Sequence, residues 1–184
     1  MIKDRERVRE KIILAAMKVF SKYGFFKAPV HLIAEKAGVS KGLVFWYFRS
    51  KRELIIEVAK RSLPLEIIDS CLESGLSGEK MLECIGKRYM KKYRDPVQRN
   101  LLLHTMALET LYKEVAEEIN SLCEEKISKV AEKVFGTSSI KGKVALRAFL
   151  GGLMCYTLRR PKNVNEEVFL RNLISITIAG FENK

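Results

Sequence analysis

Two short helical stripes separated by three residues constrain this chain more than any other feature. Val30, Ile33, Ala34 and Ala37 repeat on one helical face, and Gly38 ends the run. Pro29, with its φ preset, is expected at the first helical position. Ser40 offers a side-chain oxygen to the next exposed backbone N–H groups, so a further helix starts only two residues after the glycine, with Val44 and Phe48 as its apolar anchors. Two short helices joined by Ala37-Gly38-Val39-Ser40 read as a helix-turn-helix. Gly38 allows the sharp backbone turn, and Val39 can plug the angle between the helices.

The flanks complete a small helical head. Val8, Ile12, Ala15, Ala16, Val19, Phe20 and Tyr23 follow one helix face, which predicts an amphipathic helix over residues ~4 to 23 stopped by Gly24. Ser50-Lys51-Arg52-Glu53 has the spacing of a capping box, so another helix begins there and carries Leu54, Ile55, Val58 and Ala59.

Charge is concentrated on this head. Residues 1–52 hold 13 Lys+Arg against 4 Asp+Glu, a net of +9 out of +12 for all 184 residues, and residues 53–184 carry only +3. A basic module followed by a nearly neutral helical body suggests a nucleic-acid-binding head on a separate scaffold; charge alone is equally compatible with a solvated basic face. With 47% hydrophobic residues the chain suffices for one domain of ordinary size or two small ones. No run of ~18 uncharged apolar residues predicts a membrane span, and the doubly charged start MIKDRERVRE lacks the apolar core of a secretory signal, so a cytoplasmic location is expected. Cys71, Cys84, Cys123 and Cys155 lie 13, 39 and 32 positions apart, neither a zinc-ligand spacing nor a dense disulfide framework, and are expected as free buried thiols. There is no Gly-rich phosphate loop and no His-Cys metal cluster, so neither an enzyme nor a cofactor is expected.

The stretch from Ile13 to Val58 resembles the N-terminal DNA-binding domain of the TetR family of transcriptional regulators. The resemblance is carried by AEKAGVSKG, an aromatic cluster ending in Tyr47-Phe48, then Ser50-Lys51 and an acidic residue. It implies an all-α homodimer whose third helix enters the major groove and whose C-terminal helical domain dimerises and often takes a small-molecule inducer. It places Ser40, Lys41, Gly42, Leu43, Phe45, Trp46 and Tyr47 on the DNA-facing surface, Lys51 as a phosphate-clamping lysine at the start of the fourth helix, and His31 where some members reach DNA. Leu43 stands where many members have Thr, and Phe45 where many have Tyr. Both substitutions remove a hydroxyl, so apolar contact with thymine methyl groups would replace hydrogen bonding. Pro29 replaces a common hydroxyl cap. The basic arm with Lys3, Arg5, Arg7 and Arg9 either compensates by backbone contact or is a solvated helix end, and Trp46 packs either on the sugar-phosphate backbone or on the head's own core.

The expected domains are therefore a helix-turn-helix domain over 1–52 and a regulatory and dimerisation domain over 53–184. In the body, Pro64 interrupts the fourth helix, and a helix over about Ser77 to Tyr93 stops before Asp95-Pro96, itself an N-cap and first-position pair. Pro96 to Phe135 reads as one short and one long helix ending at Gly136, and Lys141 to Arg159 and Asn165 to Phe181 form the last two. No segment has period-two alternation, so no sheet is expected. The last two helices are apolar over more than one face, and Gly151-Gly152 adds a small-residue patch; by the resemblance, residues 141–181 form a homodimer interface that requires a palindromic operator. Met81, Tyr89, Met90, Tyr93, His104, Met106, Leu108 and Tyr112 lie on helices that line the inducer cavity in relatives, and equally suit a plain core. The resulting expectation is a repressor released from duplex DNA by an apolar or amphipathic ligand, with no membrane partner. A basic helical module for RNA or anionic lipid is the competing reading. A single Gln, abundant Lys and Glu, and short loops point to a thermophilic source.

Overall fold

Most of the apolar stripe of the first helix is buried: in α1 (Ile2–Lys27), Ile12, Ala16 and Phe20 are completely enclosed, as is the neighbouring Ile13, but Tyr23, at the end of the stripe, is 41% exposed. The structure, a computed structural model, describes residues 2–182. α1 outruns its expected end because the chain bends at Gly24, at φ 73° and ψ 165°, and then resumes a further turn to Lys27. Only glycine holds that backbone without strain. The bend brings Phe25 edge-on to Phe20, with ring centroids 5.2 Å apart.

α2 (Val30–Ala37), α3 (Lys41–Tyr47) and α4 (Lys51–Ser62) follow with the expected punctuation. Gly38 takes the left-handed conformation, φ 68° and ψ 37°, and ends α2. Pro29 differs from expectation: it is the N-cap, extended at ψ 133°, and not the first helical residue. Having no side-chain acceptor, it leaves the start of α2 uncapped by any side chain. The Glu53 N–H donates to Ser50 Oγ at 3.1 Å, while the Glu53 carboxylate accepts from the Arg49 N–H at 2.9 Å, one residue ahead of the usual reciprocal bond.

The remaining helices are α5 (Leu65–Leu72), α6 (Gly78–Tyr93), α7 (Pro96–Leu111), α8 (Lys113–Phe135), α9 (Ile140–Leu158) and α10 (Glu166–Glu182). The described residues contain no strand, and no helix among them is long and apolar enough to cross a membrane. The chain forms two units, one of residues 1–63 with 96–116 and one of residues 64–95 with 117–184. The first thus reaches past the expected division at residues 52/53, because α4 packs on α1 and on α7. From α7, Leu101, Leu102 and Leu108 are buried. The buried Ser62 hydroxyl donates to the Ala59 carbonyl at 2.7 Å and so accepts from Thr105 Oγ1, also at 2.7 Å.

In the second unit α10 packs on α9 and α6. Glycines permit the closeness: a Cβ at Gly152 would lie 2.8 Å from Leu173 Cδ1, and one at Gly86 would overlap Leu170. Gly151, by contrast, faces open space. Tyr156 stacks on Phe169 at 4.2 Å and donates its hydroxyl to the Val164 carbonyl at 3.0 Å. The cysteines correct the expectation of free buried thiols. Cys71 and Cys84 form a disulfide, because α5 and α6 pack side by side across the Gly75 turn and bring their Cα atoms to 6.1 Å. Cys123 is half-buried and Cys155 exposed, both as thiols.

A cross-link closing a loop this short restrains the unfolded chain by about 3 kcal/mol. Reduction by a dithiol is expected to lower the melting temperature by about 6–12 °C. A Cys71→Ser/Cys84→Ser variant should melt at that lower temperature with or without reductant, as followed by circular dichroism.

Candidate nucleic-acid interface

α3 is oriented by what it buries. Val44 and the following Phe48 are each 1% exposed, which turns the opposite side of this seven-residue helix outward. Ser40, in extended conformation, accepts the Leu43 N–H at 3.1 Å and fixes where the helix starts. The outward side carries Lys41, Gly42, Phe45 and Trp46, all exposed, with Leu43 and Tyr47 half-buried beside them. Trp46 is 57% exposed, which removes the alternative of packing into the head's core. Its ring meets Tyr47 edge-on at 4.8 Å. His31, in the first turn of α2, is also exposed.

Lys51 is placed differently from a freely reaching phosphate clamp. Its ammonium donates to the Phe26 carbonyl at 2.6 Å, tying the start of α4 to the turn after Gly24, and partial burial lowers its pKa. Two of its three N–H donors are left for another acceptor. The same turn receives two side chains from the chain beyond Pro96: the His104 ring meets Phe25 edge-on at 6.2 Å, and Tyr112 stacks on Phe26 at 5.3 Å.

The electrostatics of the head rest on one acid. Glu57 on α4 accepts from Arg9 at 3.1 Å and from Arg61 at 3.2 Å, and Arg61 also donates to Glu10 at 2.6 Å. Burial pushes the Glu57 carboxyl up, but the hydrogen bonds and charges of Arg9 and Arg61 together outweigh that and hold it below the usual carboxylate range. The hydrogen bond to Glu10 raises Arg61 in turn. At the helix start Arg7 pairs with Asp4 at 3.2 Å, whereas among the described residues no carboxylate pairs with Arg5 or Lys41. The guanidinium carbon of Arg5 lies 4.3 Å from the centroid of the Trp46 ring, and that of Arg9 lies 5.2 Å from the Phe48 ring. Sequence spacing shows Arg5 and Arg9 on one helix face but carries no sign of the aromatic residues that receive them.

The ligand-lining candidates fall on two different units. Met81, Tyr89, Met90 and Tyr93 are buried on α6 in the second, with the Tyr89 and Tyr93 rings 4.4 Å apart and burial raising both hydroxyl pKa values. Met90 also borders an open groove of about 990 Å³ between α6 and α10. His104, Leu108 and Tyr112 belong to the first unit, half-buried, buried and exposed respectively.

Comparison with known proteins bears on the same surface. Residues 12–58 match the model of "Bacterial regulatory proteins, tetR family". The chain is 43% identical over 65 residues to the HTH-type transcriptional regulator SrpR of Pseudomonas putida, covering 35% of this chain and 30% of that protein. It is 30% identical over 106 residues to AcrR of Shigella flexneri, covering 56% and 42%. The chain thus spans less than half the length of these curated relatives. Its fold is similar over nearly all of both chains to Salmonella enterica GusR, with TM-score 0.77, 19% identity and 96% coverage of each. It is also similar to NalD of Pseudomonas aeruginosa, described as the secondary repressor of the MexAB-OprM multidrug efflux pump, with TM-score 0.66, 23% identity, and 95% and 96% coverage.

Because the Glu57 pKa is lowered on folding, its contribution to stability is complete above its ordinary value of 4.5 and is lost as the pH falls through the lowered value. Denaturant unfolding at pH 7 is expected to show Glu57→Gln less stable than the parent, and the gap should close as the pH is brought down through and below 4.5.

Proposed function

We propose that this chain, which belongs to the tetR family of bacterial regulatory proteins, is a sequence-specific, double-stranded-DNA-binding repressor of transcription. The observation that carries the reading is the two-sidedness of α3. Its inward residues are fully enclosed, while Lys41, Phe45 and Trp46 stand exposed on a head with net charge +9. Exposed aromatic and apolar groups beside an unneutralised cation suit a groove with charged rims and apolar thymine methyl groups inside. In this reading Lys41, Leu43, Phe45 and Trp46 face base edges or the flanking backbone, Gly42 admits close approach, and Ser40, Tyr47, His31 and Lys51 bond phosphate oxygens.

The repressor acts as a cytoplasmic homodimer through α9 and α10. Val144 is 58% exposed and Ile176 68%, and Gly151 and Gly180 face open space, so a small-residue and apolar face is available for a second copy. Two-fold symmetry then sets two α3 helices ~34 Å apart, which calls for a palindromic operator. An apolar or amphipathic effector that opens the packed thioether and aromatic cluster of Met81, Tyr89, Met90 and Tyr93 in the second unit favours a state whose α3 helices no longer match that spacing. A relative and a structural neighbour described as repressors support repression as the action on transcription.

Selection from random duplex DNA is expected to return a palindrome, with affinity falling steeply as salt rises. Equal binding to random duplex, RNA and anionic vesicles would overturn the reading. Lys41→Ala is expected to weaken operator binding about tenfold or more. For the dimer, sedimentation should show a concentration-independent monomer for Val144→Glu/Ile176→Glu and a dimer for the parent, and the variant should lose cooperative occupation of the palindrome.

A further inference from the structure

The family match begins at residue 12, yet α1 starts at Ile2, so its first turns lie ahead of the recognised domain. Arg5 and Arg9 are four residues apart and share a helix face. Their fates differ. Arg9 lies against the buried Phe48 ring and is paired with Glu57, so its charge is balanced by a carboxylate. Arg5 is exposed and, among the described residues, engages the face of Trp46, on the outward side of α3, and no carboxylate. A cation over an indole is held in place without giving up its charge to a carboxylate.

The position matters as much as the charge. Lys41 is the first residue of α3, and Trp46 is the sixth of its seven residues. At ~1.5 Å per residue the backbone between them advances only about 8 Å. Lys41 and Arg5 therefore stand near opposite ends of α3, so the two cations can meet phosphates at separate points of the groove that α3 would enter.

We infer that Arg5 is a DNA-backbone contact supplied by the N-terminal turns of α1, and that Trp46 is its positioning residue, holding the guanidinium at the C-terminal end of α3. The inference rests on the duplex-reading function proposed above. It assigns Arg5 to affinity and not to base choice, since a phosphate contact carries no sequence information.

The test titrates the parent, Arg5→Ala, Arg5→Lys, Trp46→Leu and the Arg5→Ala/Trp46→Leu double variant with selected and random duplex across a salt series, after circular dichroism has confirmed equal folding. Arg5→Ala is expected to weaken both duplexes by the same factor, about three- to tenfold, and to reduce the slope of log K against log salt by about one. Arg5→Lys should keep the slope. The double variant should lose less than the product of the single losses, because removing the indole already misplaces Arg5. If the parent binds selectively but Arg5→Ala changes neither affinity nor slope, the inference falls while the repressor reading stands. Loss of discrimination without a change in slope would also overturn it, by making Arg5 a base reader. Failure of the parent itself to prefer any duplex would fell the repressor reading.

Discussion

Burial of a single stripe on α1 governs the first unit. Ile12, Ile13, Ala16 and Phe20 have no exposed surface, and α2, α4 and α7 all pack on that helix or on each other around it. Each such side chain contributes on the order of 1.5–3 kcal/mol when taken from water. α3 adds only Val44 and Phe48 to the core, too little to stand alone at seven residues. Its orientation is therefore borrowed: the caps at Ser40 and Ser50 and the turn at Gly38 transfer the geometry of α1 to the face that carries Lys41 and Trp46.

The charge distribution is sharper in three dimensions than in the sequence. A net of +9 over the first 52 residues suggests a diffuse basic surface. Part of it is balanced on folding: Arg9 pairs with Glu57, Arg7 with Asp4, and one donor of Lys51 goes to the Phe26 carbonyl. Among the cations that pair with no carboxylate, Arg5 and Lys41 stand at the two ends of α3.

Elements set by local chemistry were readable in advance. The stops at Gly38 and Gly136, the caps at Ser40 and Ser50, and the start at Pro96 each depend on a few neighbouring atoms, and the structure has them where the residues require, while Gly24 bends α1 without ending it. Departures from expectation come from partners distant in sequence. Cys71 and Cys84 could be recognised as a pair only once α5 and α6 were known to lie side by side. The grouping of α7 with the head depends on Leu101, Leu102 and Thr105 meeting α1 and α4, which no periodicity encodes. Arg5 over Trp46 joins positions 41 residues apart in sequence. The candidate DNA surface was legible because it sits on locally specified helices; the candidate ligand surface was not, because thioethers and aromatic rings at helical spacing look the same in a core and around a ligand.

The first unit is assembled from two separate stretches of chain, with α5 and α6 intervening. A ribosome delivering this chain in order has emitted every residue of the helix-turn-helix long before α7 exists to cover it. Until residue 116 has emerged, the faces of α1 and α4 that receive Leu101, Leu102 and Thr105 lack their cover. The helix-turn-helix precedes α7 in the chain, yet the cover of its supporting helices arrives only with the middle of the chain. A nascent or truncated product ending after α4 would carry the recognition helix on an incomplete core, so competence to read DNA is tied to synthesis having passed well into the body.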